Sequence, residues 1–291
     1  MKNFTKIAIA YDFDGTLAKG NIQENSYIPD QLNMSKKEFW AEVSNLAKTH
    51  KMDDILAYMY LLISKAKENN SSYTKATLKK HGKNVKYFDG VESYFKLINN
   101  YAKKKNIKID HYIISSGTKE MIEGTSIAKH FENIFASSFM CDANDVPQWP
   151  AIAINYTSKT QFLFRINKGI FDISDSQKIN VYMEESERPM PFSNMIYIGD
   201  GLTDVPSMNL VKLMGGNSIG VYDHKKKGTK EKVKLLLDQD RVNYVAPADY
   251  TDNSPLVTII KSIIDRIASI YSVKEYSDMN IAKKKRTAKH A

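Results

Sequence analysis

The chain has 291 residues, 42% hydrophobic and 26% charged, with a formal net charge of +9. That is enough for one large domain or two modest ones, with an ordinary soluble composition. The one cysteine, Cys141, excludes an internal disulfide and any cysteine-only metal cluster, and suits a reducing cytoplasm, the location we expect.

The N-terminal MKNFTKIAIAYDFDG meets charge after only a few apolar residues, unlike a secretory leader. No uncharged run reaches the ~18 residues of a membrane span, so no membrane association is expected. KIAIAYDF reads as a short buried parallel strand. It runs directly into two aspartates one residue apart, Asp12 and Asp14, and then Gly15 and Thr16.

From residue 20 to 105 the pattern turns helical. SKKEFWAEVSNLAK opens with Ser35 and Glu38 in capping-box spacing and sets Phe39, Val43, Leu46 and Ala47 on one face. MDDILAYMYLLISKAKE and GVESYFKLINNYAKKK are further amphipathic helices, with polar ENNSSYTK between them. Tyr27, Trp40, Tyr58 and Tyr60 sit at spacings more typical of core than of a ligand wall.

Strand character resumes with IKIDHYIISSG, ending in Ser115, Ser116 and Gly117, and GTKEMIEGTSIAKHF is expected to follow as a helix. FASSFMCDANDVPQWPAIAINYT reads as strand, turn, strand, with Trp149 expected in a packed turn between Pro147 and Pro150. A helix from SKTQFLFRINKGI carries Lys159 near its start and Lys168 near its end. SNMIYIGDGLTD is strand then loop, with Asp200 and Asp204. SIGVYD and VNYVAPAD read as two more strands, and LVTIIKSIIDRIASIY as a closing helix. The tail from 281 holds Lys283, Lys284, Lys285, Arg286 and Lys289 and no acid. Subtracting those five from +9 leaves +4 on the other 280 residues, so residues 276–291 are expected to be a solvated, disordered tail rather than a nucleic-acid site.

Strands alternating with helices predict an α/β fold: a Rossmann-like open, mainly parallel sheet, whose ligands bind beyond the carboxyl ends of its strands. Asp12, Ser115 and Asp200 each fall at such an end. A calcium loop starting at Asp12 fails, because Leu17 stands where glycine is required and Gln23 where a bidentate glutamate belongs.

DFDGT (12–16), IISSG (113–117), SKT (158–160) and GDGLTD (199–204), in that order and context, resemble the haloacid dehalogenase superfamily, mostly magnesium-dependent phosphatases, and its phosphoserine-phosphatase-like branch. The resemblance implies a catalytic core of residues 1–19 and 106–275 and a helical type-1 cap of residues 20–105. It implies Asp12 as nucleophile and Asp14 as general acid and base. Ser115 would hold a phosphoryl oxygen, with Ser116, Gly117, Gly15 and Thr16 around the phosphate. Lys159, with Lys168 as the rival, would neutralise charge. Mg²⁺ would be held by Asp12, Asp14, Asp200 and Asp204. A lidded site implies a small phosphorylated metabolite as substrate. Phosphoserine phosphatases carry an acid just after the nucleophile loop for the substrate's amine. Here Asn21 stands there, with Glu24 a turn later, a departure from serine phosphate. A phosphotransferase or mutase, or a catalytically retired phosphate-binding protein, are the alternatives.

Overall fold

The computed structural model describes residues 5–287. In chain order it consists of β1 (Thr5–Tyr11), then α1 (Tyr27–Leu32), α2 (Lys36–His50), α3 (Asp54–Glu68) and α4 (Lys75–His81). These are followed by α5 (Val91–Lys103), β2 (Ile107–Thr118), α6 (Lys119–Glu123), β3 (Asn133–Cys141) and β4 (Pro147–Ile152). Next come α7 (Ser158–Lys168), α8 (Ser176–Asn180), β5 (Met195–Gly199), α9 (Val205–Leu213) and β6 (Asn217–Tyr222). The chain ends with α10 (Thr229–Asp238), β7 (Tyr244–Pro247) and α11 (Pro255–Thr287).

The seven strands lie in the order β4-β3-β2-β1-β5-β6-β7. Every neighbouring pair is parallel except the β3–β4 hairpin. From β1 the chain builds outward through β2 and β3, then returns to β1's other side with β5. That reversal opens a crevice at the carboxyl end of β1, where open α/β sheets bind their ligands.

Alternation along β1 sends Ile7, Ile9 and Tyr11 to one face and Ala8 and Ala10 to the other, so each face seeds its own core. On the first face α5 buries Val91, Tyr94, Phe95, Ile98 and Ala102, and α11 buries Ile260, Ile264 and Ile267. On the second, α7 contributes Phe162, Leu163 and Ile166 and α9 contributes Met208 and Val211. Sequence placed α5 among the inserted helices; it packs instead on β2 and α11, as part of the sheet's cover.

The inserted helices α1–α4 have sequence-local reasons to form. Ser35 Oγ accepts from Glu38 N (3.2 Å) while Glu38 Oε2 accepts from Ser35 N (2.9 Å), closing the predicted capping box of α2. Phe39, Val43 and Ala47 are buried, with Leu46 packed beside them. These helices share one continuous apolar cluster with the sheet: Tyr27, Leu32, Phe39 and Leu62 belong to the same cluster as Ile7 and Ile9. Near α4 the contact is backbone on backbone. A Cβ at Gly82 would sit 1.9 Å from the Met121 carbonyl oxygen, and one at Gly124 1.8 Å from that of Lys79.

That contact explains one difference from the sequence reading. The helix expected from residue 117 onward stops at Glu123, since Gly124 must meet Lys79 and the Thr125 hydroxyl bonds the Ile122 carbonyl (2.7 Å). Trp149, expected in a packed turn, is 69% exposed on edge strand β4. The tail expected to be disordered is helical through Thr287; residues 288–291 lie outside those described. Among the described residues no helix is long and apolar enough to cross a membrane.

Candidate active site

β1 delivers Asp12 into the crevice, where its amide donates to the Ile198 carbonyl (2.9 Å) and ties the first turn residue to β5. The chain then bends sharply. Gly15 adopts φ +78°, and a Cβ there would lie 2.2 Å from Asp200 Oδ2, so only glycine lets the two loops approach. Asp14 is fixed from the other direction by the Ile22 amide, which donates to its Oδ1 (2.8 Å). Gly117 leaves room for the same carboxylate, since a Cβ there would stand 2.8 Å from Asp14 Oδ2.

Near the carboxyl end of β2 lies Ser115, fully buried, whose Oγ accepts from Gly117 N (3.0 Å). Ser116 Oγ is buried without a partner. Lys159, in the first turn of α7 and 1% exposed, reaches in so that its Nζ donates to Asp12 Oδ1 (2.8 Å) and Asp204 Oδ1 (2.7 Å). Asp204 is held in turn by the Tyr197 hydroxyl (2.7 Å) and the Gly201 amide (3.2 Å). Lys168 points away: its Nζ donates to the carbonyls of Ile179 and Val181, both at 2.7 Å. Thr16, grouped with the phosphate contacts on sequence grounds, is fully buried, its hydroxyl unpartnered, and does not line the cavity.

Asp12, Asp200 and Asp204 bring carboxylate oxygens within 4.8 Å of one another. With Asp14, four carboxylates surround a single ammonium. Burial pushes the Asp12 carboxyl up to about 6, with Lys159 opposing the rise and Asp204 adding to it. Asp14 is raised well above the carboxylate range by burial and then by Asp12, and Asp200 by burial and then by Asp12 and Asp204. Burial lowers Lys159, but Asp12 and Asp204 outweigh it and hold the ammonium above its ordinary value.

These groups form the floor of a cavity of about 1040 Å³ roofed by α2 and α3. Of the aromatics noted in the sequence, Trp40 and Tyr58 line it, Tyr27 is buried, and Tyr60 is 58% exposed and points elsewhere. Glu24 is already engaged: its Oε1 accepts from Trp40 Nε1 (2.8 Å) and Asn21 Nδ2 (3.0 Å), and Lys36 lies 3.9 Å from Oε2. Sequence reasoning missed that Trp40 is fastened this way, and missed the hydroxyl of Tyr58, which donates to the Ser116 carbonyl (2.6 Å).

The family model for haloacid dehalogenase-like hydrolases matches residues 9–209. A protein of Borreliella burgdorferi described as uncharacterized is 30% identical over 277 residues, covering 86% of this chain and 93% of its own. Among solved structures, phosphoserine phosphatase in apo form is 14% identical with a TM-score of 0.53, covering 88% of this chain and 98% of that one. A phospho-aspartyl intermediate analogue of phosphoserine phosphatase is 15% identical (TM-score 0.51; 89% and 99%). A HAD-family hydrolase of Salmonella enterica serovar Typhi is 18% identical (0.51; 84% and 68%). At those identities the likeness is one of fold. With its family match running from β1 through the Asp204 loop, this chain belongs to the haloacid dehalogenase-like hydrolases.

Proposed function

We propose that the protein is a Mg²⁺-dependent phosphatase that hydrolyses a small phosphate monoester through an aspartyl-phosphate. The observation that carries this reading is the Lys159 ammonium set between Asp12 and Asp204, with Asp200 alongside, at the strand ends of this hydrolase fold. Asp12 attacks phosphorus through the oxygen that Lys159 does not hold, and the bond from phosphorus to the leaving oxygen breaks. Asp14 gives that oxygen its proton. Burial and the nearby Asp12 charge keep the proton on Asp14 until it is needed, as a general acid requires. Asp14 then takes a proton from water as the water oxygen attacks phosphorus, releasing phosphate and restoring Asp12. Ser115, the Gly15 backbone and Lys159 hold the phosphoryl oxygens, with Ser116 and Gly117 beside them.

Besides the proton-bearing Asp14, three buried carboxyl groups, Asp12, Asp200 and Asp204, face one ammonium, and hard oxygen donors suit Mg²⁺. Asp12, Asp200 and the Asp14 backbone carbonyl would hold it, with Asp204 holding Lys159. Bound there, it would supply the positive charge that lets a phosphate dianion approach these acids.

The helices α1–α4 act as a lid that excludes water and selects the leaving group. Glu24 Oε1 is taken up by Trp40 and Asn21, and Lys36 stands 3.9 Å from its Oε2, so its charge already faces a cation. Lys36 and Lys37 line the same wall, which favours a leaving group bearing an anion over one bearing an ammonium.

The test is phosphate release from a panel of phosphorylated metabolites, with Mg²⁺ or chelator, for wild type and Asp12→Asn. Chelator-sensitive turnover that falls by about 10³-fold or more in the variant is expected. A variant with wild-type turnover removes Asp12 as the nucleophile.

A further inference from the structure

α3 touches both loops that carry the phosphate-site groups. Asp53, its N-cap, uses Oδ1 to accept from the amides of Ile55 (2.9 Å) and Leu56 (3.1 Å). Its Oδ2 accepts from Nδ2 of Asn155, a residue 102 positions away in the chain. A carboxylate only accepts, so the partner must present its amide nitrogen. Asn155 is also the hinge of the turn that starts α7. Its carbonyl accepts from the Lys159 amide (3.1 Å) and the Ser158 hydroxyl (2.7 Å), and its own amide donates to Ser158 Oγ (2.7 Å). Just over one turn along α3, Tyr58, 2% exposed, bonds the Ser116 carbonyl (2.6 Å).

We propose that Asp53 and Asn155 are positioning residues for the phosphoryl transfer inferred above: seating α3 through this pair fixes the turn that aims Lys159 between Asp12 and Asp204. The inference rests on that phosphatase reading. The bond is charge-assisted and part-buried at the joint between lid and core. Lid closure and placement of the charge-neutralising lysine then become one event. Tyr58 gives the Ser116 loop the same treatment from the same helix.

The experiment exchanges donor and acceptor. In N155D two carboxylates face each other. In D53N the helix cap survives, because asparagine caps well, but the charge is lost. In D53N/N155D the exchanged amide keeps the cap through its oxygen and donates from its nitrogen to the new carboxylate. Steady-state kinetics on the best substrate should show kcat reduced about tenfold or more in N155D with KM within about threefold, as for a group acting on the transition state. D53N should be reduced less, and the double variant should return to within about threefold of wild type. An unchanged kcat in N155D, or a double variant no better than either single one, overturns the proposal. If N155D does not fold, the comparison of D53N with the double variant decides by the same rule. A wild type silent on every ester would instead sink the phosphatase reading, and this role with it.

Discussion

Two regions meeting at the end of β1, entered by adjacent residues, handle buried polar groups in opposite ways. Tyr11 faces the α5 side, where its hydroxyl bonds His111 Nδ1 (3.0 Å) and lies 3.1 Å from that of Tyr94. His111 Nε2 in turn bonds Asn99 Oδ1 (2.9 Å). Every member of that cluster is neutral. Burial, with a smaller push from His130, drives the His111 imidazole down to about 3, so it stays uncharged. Asp12, the next residue, enters a cluster of four acids around one lysine. The first region spends its polar groups on a unique, fully paired core. The second crowds acids that burial and one another push up, the signature of a functional site.

Removing a charge from the second region should therefore hurt function while helping the fold, and this gives the largest expected effect. Asp200→Asn should lower Mg²⁺-supported turnover by about 10³-fold. In chelator it should raise stability by roughly 1–3 kcal/mol, because a poorly compensated buried charge is gone. Wild type should gain stability from Mg²⁺ and the variant should not. Melting curves with and without Mg²⁺ check this, and a variant less stable than wild type in chelator would erase the contrast.

Gly15→Ala probes the same cluster by shape. Its methyl would meet the Asp200 carboxylate at a backbone φ that L-residues avoid. We expect about 100-fold lower turnover and a stability loss of roughly 1–3 kcal/mol, read from phosphate release and denaturant titration.

The smallest effect belongs to the neutral region and separates it by pH. The folded His111 stays neutral where the unfolded chain, with an ordinary value of 6.5, would take a proton. The group therefore contributes its stability above about 6.5 and loses it as pH falls from there toward about 3. Between pH 6.5 and 5 that loss is on the order of 2 kcal/mol in wild type and absent from His111→Gln, whose turnover at pH 7 should match wild type. Urea titrations at the two pH values make the comparison; equal slopes in the two proteins would contradict it.

Much of the fold and site was legible because the signals are local. Short apolar runs that stop at Asp12, Ser115 and Asp200 mark strand ends, and strand ends of a parallel sheet converge. Lys159 could be preferred to Lys168 because only the start of a helix after a strand faces that edge. What escaped is what depends on a distant partner. The apolar stripe of α5 reads the same whether it covers a lid or a sheet. Asp53 is legible as an N-cap, but nothing near it announces that its second oxygen belongs to Asn155. Thr16 sits in the right motif and still turns inward, since side-chain direction in a tight bend is set by the surrounding packing.

The joint at Gly82 and Gly124 has mechanical consequences of its own. Two main chains in direct contact leave no rotamers to absorb a change, so a single methyl at either position acts as a wedge. A shim of one carbon there would push α4 off α6, and so shift the seat of the inserted helices on the sheet's cover.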